Sequence, residues 1–127
     1  MRFMMMLPAP VDVLENWQPT KEVVGAMRKF SDDMRKAGVL LSAEGLHPTS
    51  KGTRIRVSGG RRTVTDGPFA EAKEVIAGFW MIQVKSKDEA VEWANRCPLE
   101  ENGLIEVRQV FEAHDFPPDL RPKSAKA

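Results

Sequence analysis

The chain has 127 residues, 42% hydrophobic and 29% charged, with a net charge of +1. That length and balance fit one soluble globular domain with an ordinary core and exclude a disordered chain. The near-neutral charge supplies no field to draw in nucleic acid, the single Cys97 can form neither an internal disulfide nor a zinc-thiolate cluster, and no run approaches the roughly 18 apolar residues of a membrane span.

The first seven residues are apolar but short, and run into Pro8 and Pro10 without a small-residue cleavage site. Residues 3–7 therefore read as a buried strand, not a secretory segment. With a lone cysteine, the expected location is cytoplasmic. Residues 11–19, with Asp12, Asn16 and Trp17, read as a connector. Thr20 can cap a helix running to Ala37, in which Val23, Met27, Phe30, Met34 and Ala37 form one apolar stripe. Gly38 stands where a left-handed C-cap is expected. Residues 39–46 read as a second strand and residues 47–52 as a polar loop.

Residues 53–57 alternate, Ile55 and Val57 against Arg54 and Arg56, the pattern of a half-exposed strand. The turn Ser58-Gly59-Gly60-Arg61 returns residues 62–65 as its partner. Residues 75–85, with Gly78, Phe79 and Trp80, are long and apolar enough for a central strand. Ser86 and Glu89 make a capping box for a helix that runs to about Cys97, stops before Pro98, and buries Ala90, Trp93, Ala94 and Cys97. Residues 104–111 read as the last strand. Residues 117–127 are expected to be a partly ordered tail after a domain of residues 1–116.

Two β-α-β halves around an antiparallel sheet, with both helices on one face, make a ferredoxin-like α+β sandwich. The face without helices, assigned Phe79, Met81, Ile105 and Val107, needs a cover, and this predicts a homodimer.

Between the hairpin and the central strand lies Thr65-Asp66-Gly67-Pro68-Phe69-Ala70-Glu71-Ala72-Lys73-Glu74. It concentrates an acid, a Gly-Pro turn, an aromatic and alternating charge, more than a plain connector needs. That segment, Arg2-Phe3-Met4-Met5-Met6-Leu7, Ala43-Glu44-Gly45-Leu46-His47-Pro48, Ala77-Gly78-Phe79-Trp80, Glu92-Trp93-Ala94 and Cys97-Pro98 together resemble the DGPF branch of the YCII-related family, over residues 1–116. The resemblance implies a dimeric α+β-barrel-type protein joined through its sheets. It also implies a link to sigma factors of the extracytoplasmic-function type, beside which members of the branch are often encoded. Most members have no known activity. Some in the wider family look like small enzymes with a His-Asp pair, one kind eliminating chloride from a chlorinated hydroxyquinone. Those carry the histidine early in the first helix. Here no histidine lies between Thr20 and Gly38, so of that chemistry only Asp66 matches a motif position.

The candidate residues each fit two readings. Asp66 can be a general base or a pocket anion, or the Asp-Gly turn residue that bonds nearby amides. His47 can be its proton-shuttle partner or a solvated loop histidine; His114 belongs to the tail or reaches a neighbour. Glu71, Lys73 and Glu74 line a polar pocket or alternate on an exposed short helix. Phe69 and Trp80 stack on an aromatic ligand or sit in the core. Arg54 and Arg56 bind an anion or face solvent. Cys97, at a helix C-terminus, is no nucleophile. Two distant histidines form no metal cluster, and Gly59-Gly60 lacks the lysine of a phosphate loop. The chain is thus read as a cofactor-independent lyase- or isomerase-like enzyme acting on a small organic molecule through Asp66 and His47. The alternative is a non-catalytic small-molecule-binding or sigma-factor-associated regulatory protein.

Overall fold

In a computed structural model that describes residues 1–122, strand β1 (Arg2–Pro10) leads into the short helix α1 (Val11–Glu15) and then helix α2 (Lys21–Lys36). Strand β2 (Leu40–Gly45) follows, then the hairpin β3 (Thr53–Ser58) and β4 (Arg61–Asp66), strand β5 (Glu74–Gln83), helix α3 (Lys87–Ala94) and strand β6 (Glu106–Gln109). The main sheet is four-stranded and antiparallel in the order β2-β5-β1-β6; β3 and β4 form a separate two-stranded sheet. The architecture is α+β, with two main helices beside the four-stranded sheet.

β1 extends past the apolar run through Pro8 to Pro10, with an irregular register at Leu7/Pro8. β6 pairs only with residues Phe3 to Met6. The proline end of β1 therefore has one neighbour, β5, and tolerates the missing amide hydrogens. α1 corrects the expectation of a plain connector before α2. Thr20 caps α2 as expected, accepting a hydrogen bond from the Val23 amide at 3.2 Å. Ser86 caps α3 through the Glu89 amide at 3.1 Å, while the Glu89 carboxylate reaches back to the amide of Lys85 at 2.9 Å. α3 ends at Ala94, three residues short of Cys97. Gly59 and Gly60 take φ of +58° and +77° at the hairpin turn, a conformation that β-carbons disfavour.

The core lies between the sheet and the helices. Phe3, Met5, Met34 and Ile82 are its most buried large side chains, with Phe30, Trp80 and Ala90 beside them. Strand parity decides which residues join. Met5 stands in register with both Trp80 and Val107, so Val107 points to the core, and Ile105 packs there too. This corrects the assignment of Ile105 and Val107 to the open face. That face carries Met4, Met6, Phe79 and Met81, which are half-buried and paired Met4 to Met81 and Met6 to Phe79.

The hairpin also departs from expectation. Ile55, Val57 and Val64 are 63%, 60% and 64% exposed, so the face that bears them is not buried against the domain. Of the tail, Pro118–Leu120 form a 3-10 turn, and the Arg121 guanidinium donates to the carbonyls of Ala113 and Phe116, each at 3.1 Å. The remainder of that tail, residues 123–127, lies outside the described residues.

Candidate functional site

The segment 66–74 contains no helix; it is a turn that crosses from β4 to β5. Its conformation is set by a threonine on the facing loop. The Thr49 hydroxyl accepts from the Phe69 amide at 3.2 Å and donates to Glu15 Oε1 at 3.3 Å. The Thr49 carbonyl accepts from the Gly52 amide at 2.8 Å, and the Gly52 carbonyl accepts from the Gly67 amide at 2.9 Å. A β-carbon on Gly67 would stand 1.7 Å from the Thr49 carbonyl oxygen, a distance no side chain survives, so this close approach requires glycine. The Gly67-Pro68 peptide is cis.

The Ser50 amide also donates to Glu15, at 2.9 Å. Hydrogen bonds from Ser50, with a lesser one from Thr49, hold the Glu15 carboxyl below its ordinary range, against the opposing effect of desolvation. Glu15 thus ties the end of α1 to the loop that carries Thr49.

Asp66 ends β4, exposed, and its Oδ1 accepts from the Thr53 hydroxyl at 2.9 Å across the hairpin. Thr53 is also its register partner, so the bond closes the open end of the β3–β4 ladder. His47 is exposed just beyond β2, and no hydrogen bond or ion pair joins it to Asp66 among the described residues. His114 pairs weakly with its neighbour Asp115, at 3.6 Å.

Phe69 is buried, with the Arg54 guanidinium 3.9 Å above its ring centre. Arg54 also donates to Glu71 at 2.9 Å, so Phe69, Arg54 and Glu71 form one stack that braces the hairpin base against the turn. Trp80 sits in the core, edge-on to Phe30 at 5.1 Å, and its indole N–H donates to the Ser31 hydroxyl at 3.0 Å. Both aromatics are therefore packed inside the fold.

Beside the turn lies an open groove of about 570 Å³. One wall is α1 and its cap, with Val11, Asp12, Glu15 and Asn16; the other is the segment from Pro68 to Lys73. The Lys73 carbonyl accepts from the Val11 amide at 3.3 Å, which links the two walls. The groove is apolar along Val11, Pro68, Ala70 and Ala72, and carries acids on one side and a lysine on the other. Of the residues expected from sequence, Lys73 lines it. The α1 wall was missed because residues 11–19 read as a connector, and Thr49 because residues 47–52 read as a plain polar loop. Pro10 followed by Val11 and Leu14 three apart is the signal that marks a helical turn there.

Cys97 is buried, which pushes its thiol up to about 11. Among the described residues no group of three or more His, Cys, Asp or Glu side chains could hold a metal ion. No helix among them is long and apolar enough to cross a membrane.

The chain is 44% identical over 71 residues to "Uncharacterized protein R00369" of Rhizobium meliloti (strain 1021), a match covering 54% of this chain and 57% of that protein. The matched part thus spans less than two thirds of that relative's length. The family model for the YCII-related domain matches residues 1–114, nearly all of the described structure. That match includes both β-α-β halves, the hairpin and the groove, and by it this chain belongs to the YCII-related domain family.

Proposed function

We propose that this protein is a DGPF-type member of its family that binds a small organic molecule in the α1 groove without transforming it. The single observation that carries this reading over a lyase or isomerase is the setting of Asp66. It is an exposed strand-end carboxylate bonded to the Thr53 hydroxyl, with no histidine joined to it among the described residues. A general base needs a proton-transfer partner or substrate within hydrogen-bond reach and shelter from bulk water. The groove, by contrast, offers apolar walls with a few polar groups at the rim, as small-molecule sites do.

The working unit is a homodimer of the dimeric α+β-barrel type, formed over Met4, Met6, Phe79 and Met81 of the open sheet face. Support comes from the apolar character of that face, which water does not favour. The protein is cytoplasmic, in keeping with a free thiol at Cys97. It serves as a sensing or accessory component beside a sigma factor of the extracytoplasmic-function type.

A thermal-shift screen of small aromatic and phenolic compounds tests the reading, because a specific ligand raises stability by mass action. The expected result is a compound that raises the melting temperature of the wild type but not of Ala70→Trp, which fills the groove, and that is recovered unchanged after incubation. A converted product whose formation is lost in Asp66→Asn would instead establish the enzyme, with Asp66 as its acid/base.

A further inference from the structure

The hairpin forms its own two-stranded sheet, and a lone hairpin is marginal in water. Register places Ile55, Val57, Arg62 and Val64 on one face, and Arg54, Arg56 and Arg61 on the other. At the hairpin base, Arg54 turns the second face toward the protomer's own body, over Phe69 and onto Glu71. The first face therefore points away. Its three β-branched side chains are each at least 60% exposed, with Ile55 directly opposite Val64. Charge on the hairpin is mainly positive: Arg54, Arg56, Arg61 and Arg62 stand against one acid, Asp66, at the base of the exposed face, where its carboxylate accepts from Thr53. Arg56, Arg61 and Arg62 take part in no ion pair among the described residues.

The open face of the main sheet is the complement. Its Met4, Met6, Phe79 and Met81 are flanked by two acids and one cation: Glu106, in register with Met6; Glu44, in register with Phe79; and Arg108, in register with Met4. Neither acid is in an ion pair among the described residues. Within one protomer the two surfaces do not cover each other, since the hairpin strip stays open. Four side chains already half-covered by their own protomer also fall short of the ~800 Å² per partner of a stable interface.

We propose that the β3–β4 hairpin is an arm that lies on a second copy of this chain. It packs Ile55, Val57 and Val64 against the methionine- and phenylalanine-lined sheet face of that copy, and sets Arg62 toward the carboxylates at the margin of that face. The inference rests on the homodimer proposed above and adds the arm to it. Two-fold symmetry makes the contact reciprocal, so each copy gives one arm and receives one.

Sedimentation over a dilution series tests it on the full chain. Replacing Ile55, Val57 and Val64 together by threonine keeps strand propensity while removing apolar surface. It should raise the dimer dissociation constant at least tenfold. Arg62→Glu should raise it severalfold at low salt and less at high salt, as screening removes the attraction and the repulsion alike. Met6→Lys is the reference that breaks the sheet-face dimer itself. A wild-type dimer that Met6→Lys dissociates but both arm variants leave unchanged would overturn the arm and leave the dimer standing. A wild type that stays monomeric at every concentration would overturn both. Should the triple variant misfold by circular dichroism, Arg62→Glu, an exposed single change, decides alone.

Discussion

Thr49 organises the turn with one hydroxyl and one carbonyl, and nothing in its local sequence marks it for that work. Its partners, Glu15 and Phe69, lie 34 and 20 residues away. Gly67 is the other half of the contact. Gly67→Ala should destabilise the protein by about 3 kcal/mol or more, at the upper end of overpacking, because the clash is with backbone that no rotamer change relieves. Urea denaturation with an unchanged m-value measures it. Asp66 was legible as a residue of consequence, with turn-holding and chemistry both open. Its actual bond is to a side chain 13 residues away, across the hairpin from the amides an Asp-Gly turn usually engages. Only the ladder register brings Thr53 there.

Helices α2 and α3 were readable because their signals are local: Thr20 and Ser86 each bond an amide three residues on. The short helix α1 was not, since five residues make little periodic pattern and its stability comes from docking. Glu15 supplies part of that docking and carries a pH dependence. Its folded-state value lies below the ordinary 4.5, so its stabilising contribution is fully present above that pH. The contribution is lost as the pH falls through the lower folded value. In melting curves, Glu15→Gln should therefore be less stable than wild type at neutrality, and the gap should close as the pH falls below 4.5. A gap that stayed constant on acidification would remove the charge from the account of the latch. β6 shows the limit for strands. Alternation in its sequence is as good one way as the other, and pairing of Val107 with the buried Met5 chooses the face.

At the scale of the whole molecule, Cys97 reports on the fold as a unit. It is buried beside α3 among core residues, and its thiol is pushed up to about 11. An aromatic disulfide at pH 8 should label it at least about a hundredfold more slowly than the unfolded chain, with the rate rising through the urea transition. Fast labelling without denaturant would mean that the α3 side of the core opens locally. Composition, periodicity and capping determined the class of this protein by themselves: an α+β domain with the order of its main strands and helices, the glycine hairpin, and a marked segment at residues 65–74. Those signals act over a few residues, where chain geometry alone decides the outcome. Tertiary structure alone decided the antiparallel register, the sides taken by Val107 and Met4, and the groove between α1 and the turn. It also decided that Trp80 packs against Phe30 and that Asp66 bonds Thr53. Each of these depends on groups far apart in the chain meeting in space, and no short-range pattern carries that information.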